Sequence, residues 1–391
     1  MVLEQAPGTD WNLRSTATSA ISSPRLGPSP IYTAIIELSV SSGQTISSLI
    51  RQASYSAGFE LAGIAPAGDF PEQQFFSDWI AKGRAGEMKY LEARNETGAL
   101  KRASLRNAIP WARSVIVCAI NYNTAEPYST QAHEPERGWI SRYAWSREDY
   151  HQVVMQKLRE VESKLQVAIP ELQTRCYVDT GPLVERIYAK YAGVGWIGKN
   201  TCLINQKLGS WLFLGVILTS LEVPAELPAP DRCGTCTRCI DACPTDAILE
   251  PYQLDSNRCI SYLTIEKRGE IAEDLREGMG RHVFGCDICQ DVCPWNRKAP
   301  VTSAPEFQPR AGLVNPALEW LAGITAEEFR DRFRRSPVRR AKRNGLRRNA
   351  AIAMGNSGDR RFASTLRDMA QDEDPVVAES AAWALNRLSA K

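Results

Sequence analysis

The segment CGTCTRCIDACP, residues 233–244, packs Cys233, Cys236, Cys239 and Cys243 at spacings of two, two and three, with Pro244 after the last. A second run, CDICQDVCP, holds Cys286, Cys289, Cys293 and Pro294. Its first cysteine is missing, because that position is Val283, and Cys259 in SNRCISYL is free to replace it. Thiolates are soft ligands suited to zinc and to iron–sulfur clusters. Structural zinc sites also use four cysteines, but they rarely show this spacing followed by proline, and here it occurs nearly twice. Two [4Fe–4S] clusters are the chemistry these residues point to most strongly.

The first run is that of bacterial ferredoxins, whose fourth cysteine serves the other cluster. Crossed in that way, Cys233, Cys236, Cys239 and Cys293 hold one cluster. Cys243, Cys259, Cys286 and Cys289 hold the second. The remaining cysteines, Cys118, Cys176 and Cys202, read as small buried hydrophobes. Histidines number only three. DYHQVV begins like DxHxxG, which supplies a histidine to cobalt in some proteins, but Val154 stands where glycine is required. His151 therefore reads as an ordinary helix residue.

These groups need a scaffold. From about Thr45 to Glu222 helical and strand-like segments alternate, the pattern of an α/β domain. REDYHQVVMQKLREVESKL has Val154, Leu158, Val161 and Leu165 at helical spacing. SVIVCAINY, RCYVDT and SWLFLGVILT read as strands, the last too short to span a membrane. Between them, YVDTGPLVERIYAKYAGVGWIGKNTCLIN is dense in glycine, which lets backbone approach a bulky ligand closely. It carries no GxGxxG or GxxxxGK[ST] phosphate loop.

The 391 residues suit two or three domains, and the net charge of +2 confines any nucleic-acid surface to a local patch. Residues 1–43 are rich in Ser, Thr, Pro and Gly and read as a loosely ordered extension without the pattern of a secretory signal. Eleven cysteines and no such signal fit a reducing cytoplasm. Near the C-terminus, RRNAAIAMGNSGD and AESAAWALNRLSA align at a shift of 31 residues, so that Ala350, Ala351 and Ala353 match Ala381, Ala382 and Ala384. This reads as a two-unit, HEAT-like helical repeat. The run RDRFRRSPVRRAKRNGLRR precedes it. Charge runs are most often solvated faces, but arginine grips phosphates bidentately, and Arg334, Arg335, Arg339, Arg340 and Arg343 are read as contacts to nucleic acid.

Taken together, YVDTGPLVER, GWIGKN, CISYLTIEKRG, the two cysteine runs and the basic helical tail resemble the epoxyqueuosine reductase family, over about Thr45 to Lys391. The resemblance implies an α/β (α+β) domain at 44–224 binding base-off cobalamin, a ferredoxin-like domain at 225–312 and a HEAT-like domain at 313–391. It implies reduction of epoxyqueuosine to queuosine at the wobble position of tRNAs with GUN anticodons, those for Tyr, His, Asp and Asn. Asp179 matches the proton donor, and Arg102, Tyr143, Asp179, Arg186, Asn200 and Ser261 match corrin contacts. To act as an acid, Asp179 needs a raised pKa, reached by burial against the corrin. The anticodon stem-loop of tRNA, an external one-electron donor such as a flavodoxin or ferredoxin, no membrane and a monomeric state complete the implied picture. A reductive dehalogenase-like enzyme predicts cobalt without need of a basic tail. A plain electron-transfer protein, or an RNA-binding scaffold with structural clusters, predicts iron alone.

Overall fold

A computed structural model describes residues 45–390; the N-terminal extension lies outside the described residues. Four strands form the central sheet: β1 (Leu61–Pro66), β2 (Ser114–Asn121), β3 (Thr174–Tyr177) and β4 (Leu212–Thr219). Their order is β1–β2–β4–β3, and every neighbouring pair is antiparallel. The alternation of helix and strand therefore produces the α+β form rather than a parallel crossover sheet. All of β2 is buried. Ile116, Cys118 and Ile120 pack on one face, and Val115, Val117 and Ala119 on the other, as a period of two requires. Burial on both faces is why this strand is apolar at nearly every position.

Helices α1 (Ile46–Ser56) and α2 (Tyr150–Ala168) cover the first face, with Ile50, Val154, Leu158, Val161 and Leu165 buried against it. Helix α3 (Glu185–Tyr191) covers the second through Tyr188 and Ala189. Close approach of α2 depends on Gly215 in β4, where a Cβ would stand 2.8 Å from Leu158 Cδ1 and 2.9 Å from Val154 Cγ1. Asp149 caps α2 by accepting a hydrogen bond from the His151 backbone N–H at 3.0 Å. That cap fixes where the helix starts, and hence where His151 points.

The cysteine runs fold as loops with one-turn helices at Arg238–Asp241 and Ile288–Asp291. Beyond them, α4 (Lys342–Ser357), α5 (Ala363–Met369) and α6 (Pro375–Ser389) pack together. A Cβ at Gly355 would meet Ala384 Cα at 2.8 Å, so α4 and α6 touch through small residues. Of the aligned alanines, Ala382 is exposed and the others are buried. The same core holds Trp139, Ile140, Val283 and Phe284. Val283 is fully buried in the strand His282–Phe284, packed in this apolar core. No helix among the described residues is long and apolar enough to cross a membrane.

Candidate functional site

A cavity of about 800 Å³ lies where the sheet domain, the cysteine loops and the arginine segment meet. Asp179 enters it from the turn after β3, with a left-handed φ of 58°. Such backbone strain in a residue other than glycine is concentrated at functional sites. The Asp179 side chain is 56 % exposed, although groups from several elements surround it. His151 Nε2 lies 3.6 Å from Asp179 Oδ2, and His151 Nδ1 lies 2.7 Å from Asp149 Oδ1. The Tyr150 hydroxyl donates to Asp179 Oδ2 at 3.4 Å.

Electrostatics decide the charge states. Burial raises the Asp179 pKa, but His151, Arg340 and Arg186 outweigh it and hold the carboxyl below its usual range. The expected upward shift is thus not present, because a cation sits beside the acid. Burial likewise disfavours charge on His151, yet Asp149 and Asp179 raise it to about 9. The sequence pattern makes His151 an ordinary helix residue; it does begin α2, but its ring stands between two carboxylates. Glu185, also on the cavity wall, is raised to about 7 by burial and by the Asp179 charge. His151 belongs to no motif that singles it out, and Glu185 lies within YVDTGPLVER without being marked there as an acid, so the fold is what reveals their place on the cavity wall.

Tyr143, Arg186, Asn200 and Ser261 line the same cavity. Arg102 does not. Its guanidinium donates to the Tyr90 carbonyl at 2.9 Å and lies against that ring, one layer behind the wall. Arg186 donates to the Thr201 carbonyl at 2.8 Å, and Asn200 Nδ2 donates to the Cys289 carbonyl at 3.2 Å. Asn200 therefore braces a cysteine loop as well as facing the cavity. Phe213 stacks on Tyr150 at 4.3 Å, which stacks on the His151 ring at 4.0 Å. With Leu212, Leu214 and Ile260 this makes a broad apolar wall rimmed by polar groups, the composition that suits a large flat ligand.

Four of the eight motif cysteines line the cavity: Cys243, Cys259, Cys286 and Cys289. Cys286 has Cys259 and Cys243 as neighbours, and Cys289 has Cys202, Cys286 and Cys259. Cys239 has Cys233 and Cys293 in the same way, and Cys293 has Cys233 and Cys236. Cys202 stands near Cys239, Cys289 and Cys293 as well. Among the described residues no three metal-binding side chains converge tightly enough for a single ion. Backbone amides point at the sulfurs: Ala247 donates to Cys243 Sγ at 3.3 Å. Ser261 and Tyr262 face Cys259, Ile288 faces Cys286, and Trp295 faces Cys293. Such donors favour the thiolates that iron–sulfur clusters need.

Cys118 and Cys176 are buried in the sheet core, as small hydrophobes are. Cys202 is not: it lies on the cavity wall, beside Cys289. The second cysteine loop is pinned by Asp287, which accepts from Ser141 Oγ, from the Arg142 N–H at 2.8 Å and from Trp139 Nε1 at 3.1 Å.

The arginine run divides. Arg334, Arg335 and Arg339 are exposed, and Arg334 and Arg339 reach the cavity rim. Arg340 is paired with Glu266 inside that rim and lies 5.1 Å over the Tyr90 ring. Arg343 donates to the Ile324 carbonyl at 2.7 Å. Arg347 and Arg348 are buried, and Arg348 binds the carbonyls of Leu263, Lys267 and Gly269.

Comparison with known proteins meets this geometry from two sides. Residues 102–180 match the family model described as Epoxyqueuosine reductase QueG, DUF1730, and residues 232–296 match the 4Fe-4S double cluster binding domain. The epoxyqueuosine reductase of Synechocystis sp. is 45 % identical over 293 residues, covering 74 % of this chain and 98 % of that relative. The chain belongs to the epoxyqueuosine reductase family. A solved epoxyqueuosine reductase with an epoxyqueuosine-modified tRNA-Tyr stem loop superposes with a TM-score of 0.78 at 28 % identity, covering 90 % of this chain and 91 % of its own. The Bacillus subtilis enzyme, whose catalytic aspartate loop is swung out of the active site, matches with the same score, identity and coverage.

Proposed function

We propose that this chain reduces epoxyqueuosine to queuosine in tRNA, at the wobble position of tRNAs with GUN anticodons. The observation that carries the reading is one cavity joining Asp179 and His151 to a cysteine quartet and an arginine rim, in a member of this family. Base-off cobalamin fits the broad apolar wall, with Tyr143, Arg186, Asn200 and Ser261 as its contacts and Arg102 steadying Tyr90 behind them. Bound there, cobalamin would supply a strong reductant, and the eight motif cysteines would hold two [4Fe–4S] clusters able to supply single electrons.

Loss of the epoxide oxygen as water takes two electrons and two protons. Asp179 presents the acid at the oxygen, a contribution of about 10²–10⁴-fold. His151 keeps a proton beside it at neutral pH, and exclusion of water by the bound substrate strengthens the tendency of Asp179 to take that proton. The exposed arginines hold the phosphates of the anticodon stem-loop and position it rather than read its bases. The finer organisation belongs to the same proposal: a cobalamin domain at 44–224, a ferredoxin-like domain at 225–312, HEAT-like helices at 313–391, a monomer in the cytoplasm and an external flavodoxin or ferredoxin as donor.

The test is the Asp179→Ala variant, purified anaerobically with its cofactors and given epoxyqueuosine-containing tRNA. Cobalt and iron near 1:8 and an unchanged corrin spectrum are expected, with turnover reduced by at least about a hundredfold. Turnover within about threefold of wild type contradicts the role of Asp179. Iron without cobalt in the wild-type protein contradicts the whole reading.

A further inference from the structure

The GWIGKN segment touches both cysteine loops. Lys199 Nζ donates to the Gly234 carbonyl at 2.6 Å and to the Cys236 carbonyl at 3.1 Å. Asn200 reaches the Cys289 carbonyl in the other quartet. Between these tethers and the first loop lies Trp196, on a two-residue strand paired with Leu203–Ile204. Its indole is 2 % exposed and packs with Cys233, Cys293 and Ile204, edge-on to Trp295 at 5.0 Å.

A buried N–H without an acceptor is costly, so an orphan donor in a well-packed place calls for an explanation. Trp196 Nε1 is such an orphan: no acceptor stands at full hydrogen-bonding geometry. The acceptor it approaches is the sulfur of Cys233, which the backbone N–H of Lys199 also faces. A neutral thiol is a weak acceptor, whereas a cluster-bound thiolate carries negative charge and accepts such bonds well.

We propose that Trp196 is a tuning residue for the cluster held by Cys233, Cys236, Cys239 and Cys293, donating an N–H···S bond to the Cys233 thiolate. Hydrogen bonds to the sulfurs are one of the levers that set an iron–sulfur potential. One-electron reduction adds negative charge to the cluster, and a donor aimed at its sulfur stabilises the reduced form more than the oxidised one. Trp196 therefore raises the potential of this cluster, leaving the cavity-facing one untouched. The other donors at these sulfurs named above are backbone amides, which side-chain substitution cannot remove. Trp196 can be tested directly.

The inference rests on the two-cluster reading, so iron content and two reducible clusters are established first in the wild-type holoprotein; failure there sinks that reading rather than the role of Trp196. The experiment is an anaerobic dithionite titration of Trp196→Phe, followed by electron paramagnetic resonance. Full iron is expected. At a fixed ambient potential one cluster should show its reduced-to-oxidised ratio lowered about tenfold, equivalent to about 59 mV for a one-electron couple, with the second cluster unchanged. Unchanged midpoints, or equal shifts in both clusters, overturn the proposal. Should Trp196→Phe lose iron, a β-(3-benzothienyl)alanine at position 196 decides, since it keeps the ring shape and removes only the N–H. A lowered midpoint in one cluster supports the N–H···S bond. A wild-type midpoint, or loss of iron from this variant as well, assigns Trp196 to packing alone and overturns it.

Discussion

A histidine between two carboxylates has a pH signature. His151 is raised to about 9 from an ordinary value near 6.5, so it gains more from its charged form in the folded chain than in the unfolded one. Its stabilisation is complete below about pH 6.5 and is lost as pH rises through about 9. Asp179 is shifted the other way, and its share is present above the ordinary carboxylate value and lost only on acidification. The expected result is a thermal midpoint that falls between pH 6.5 and 9 in the wild type and falls less in His151→Ala. Melting curves at half-unit pH steps would show it, and parallel pH dependences in the two proteins would exclude the ion pairing. Residues of this kind were hard to read from sequence. Val154 removed the one motif that marks His151, and proximity to Asp179 arises from the turn after β3. The cysteines were legible because their spacing along the chain is itself the ligand geometry.

At the scale of elements, two short pieces bear on whether Cys259 completes the second set of four thiols proposed for the clusters. Cys259 immediately precedes the helix Ile260–Ile265, and the amides of Ser261 and Tyr262 at its start face the sulfur. The position that the ferredoxin spacing would give to a cysteine is Val283, buried with Trp139 and Leu318. Cys259→Ala is therefore expected to lose about half of the iron, with the cluster of Cys233, Cys236, Cys239 and Cys293 retained. Iron analysis with electron paramagnetic resonance checks this; a variant with all its iron would remove Cys259 from the set. The substitution of Val283 for cysteine was visible in the sequence, and its cause was not, since burial of that strand comes from the C-terminal helices. The strands SVIVCAINY and SWLFLGVILT were legible from continuous apolar runs. β1, LAGIAP, carries a weaker signal, and the antiparallel order could not be read, because local patterns do not encode which strands become neighbours.

Over the whole molecule, the arginine run shows how far a charge pattern can be read before the fold is known. A stretch of cationic residues in sequence becomes three kinds of group in space. Arg347 and Arg348 hold the C-terminal helices to the preceding segments, Arg343 caps the Ile324 carbonyl, and Arg340 is tied to Glu266 within the cavity. Only Arg334, Arg335 and Arg339 of the five candidates stand exposed. Polyelectrolyte binding releases counterions, with a slope of about 0.7–0.9 in log affinity against log salt for each phosphate neutralised. Replacing these three by glutamine is expected to weaken tRNA binding and to flatten that slope by up to about two to three. Iron content should hold, since none of the three is a cysteine-loop residue. Arg343→Gln should leave the slope nearly unchanged and lower the melting temperature instead, since it removes a structural hydrogen bond. Binding titrations at four salt concentrations separate the two classes. A triple variant with the wild-type slope would mean that tRNA docks elsewhere, and a flattened slope in Arg343→Gln would mean that this arginine leaves the Ile324 carbonyl for phosphate when tRNA arrives.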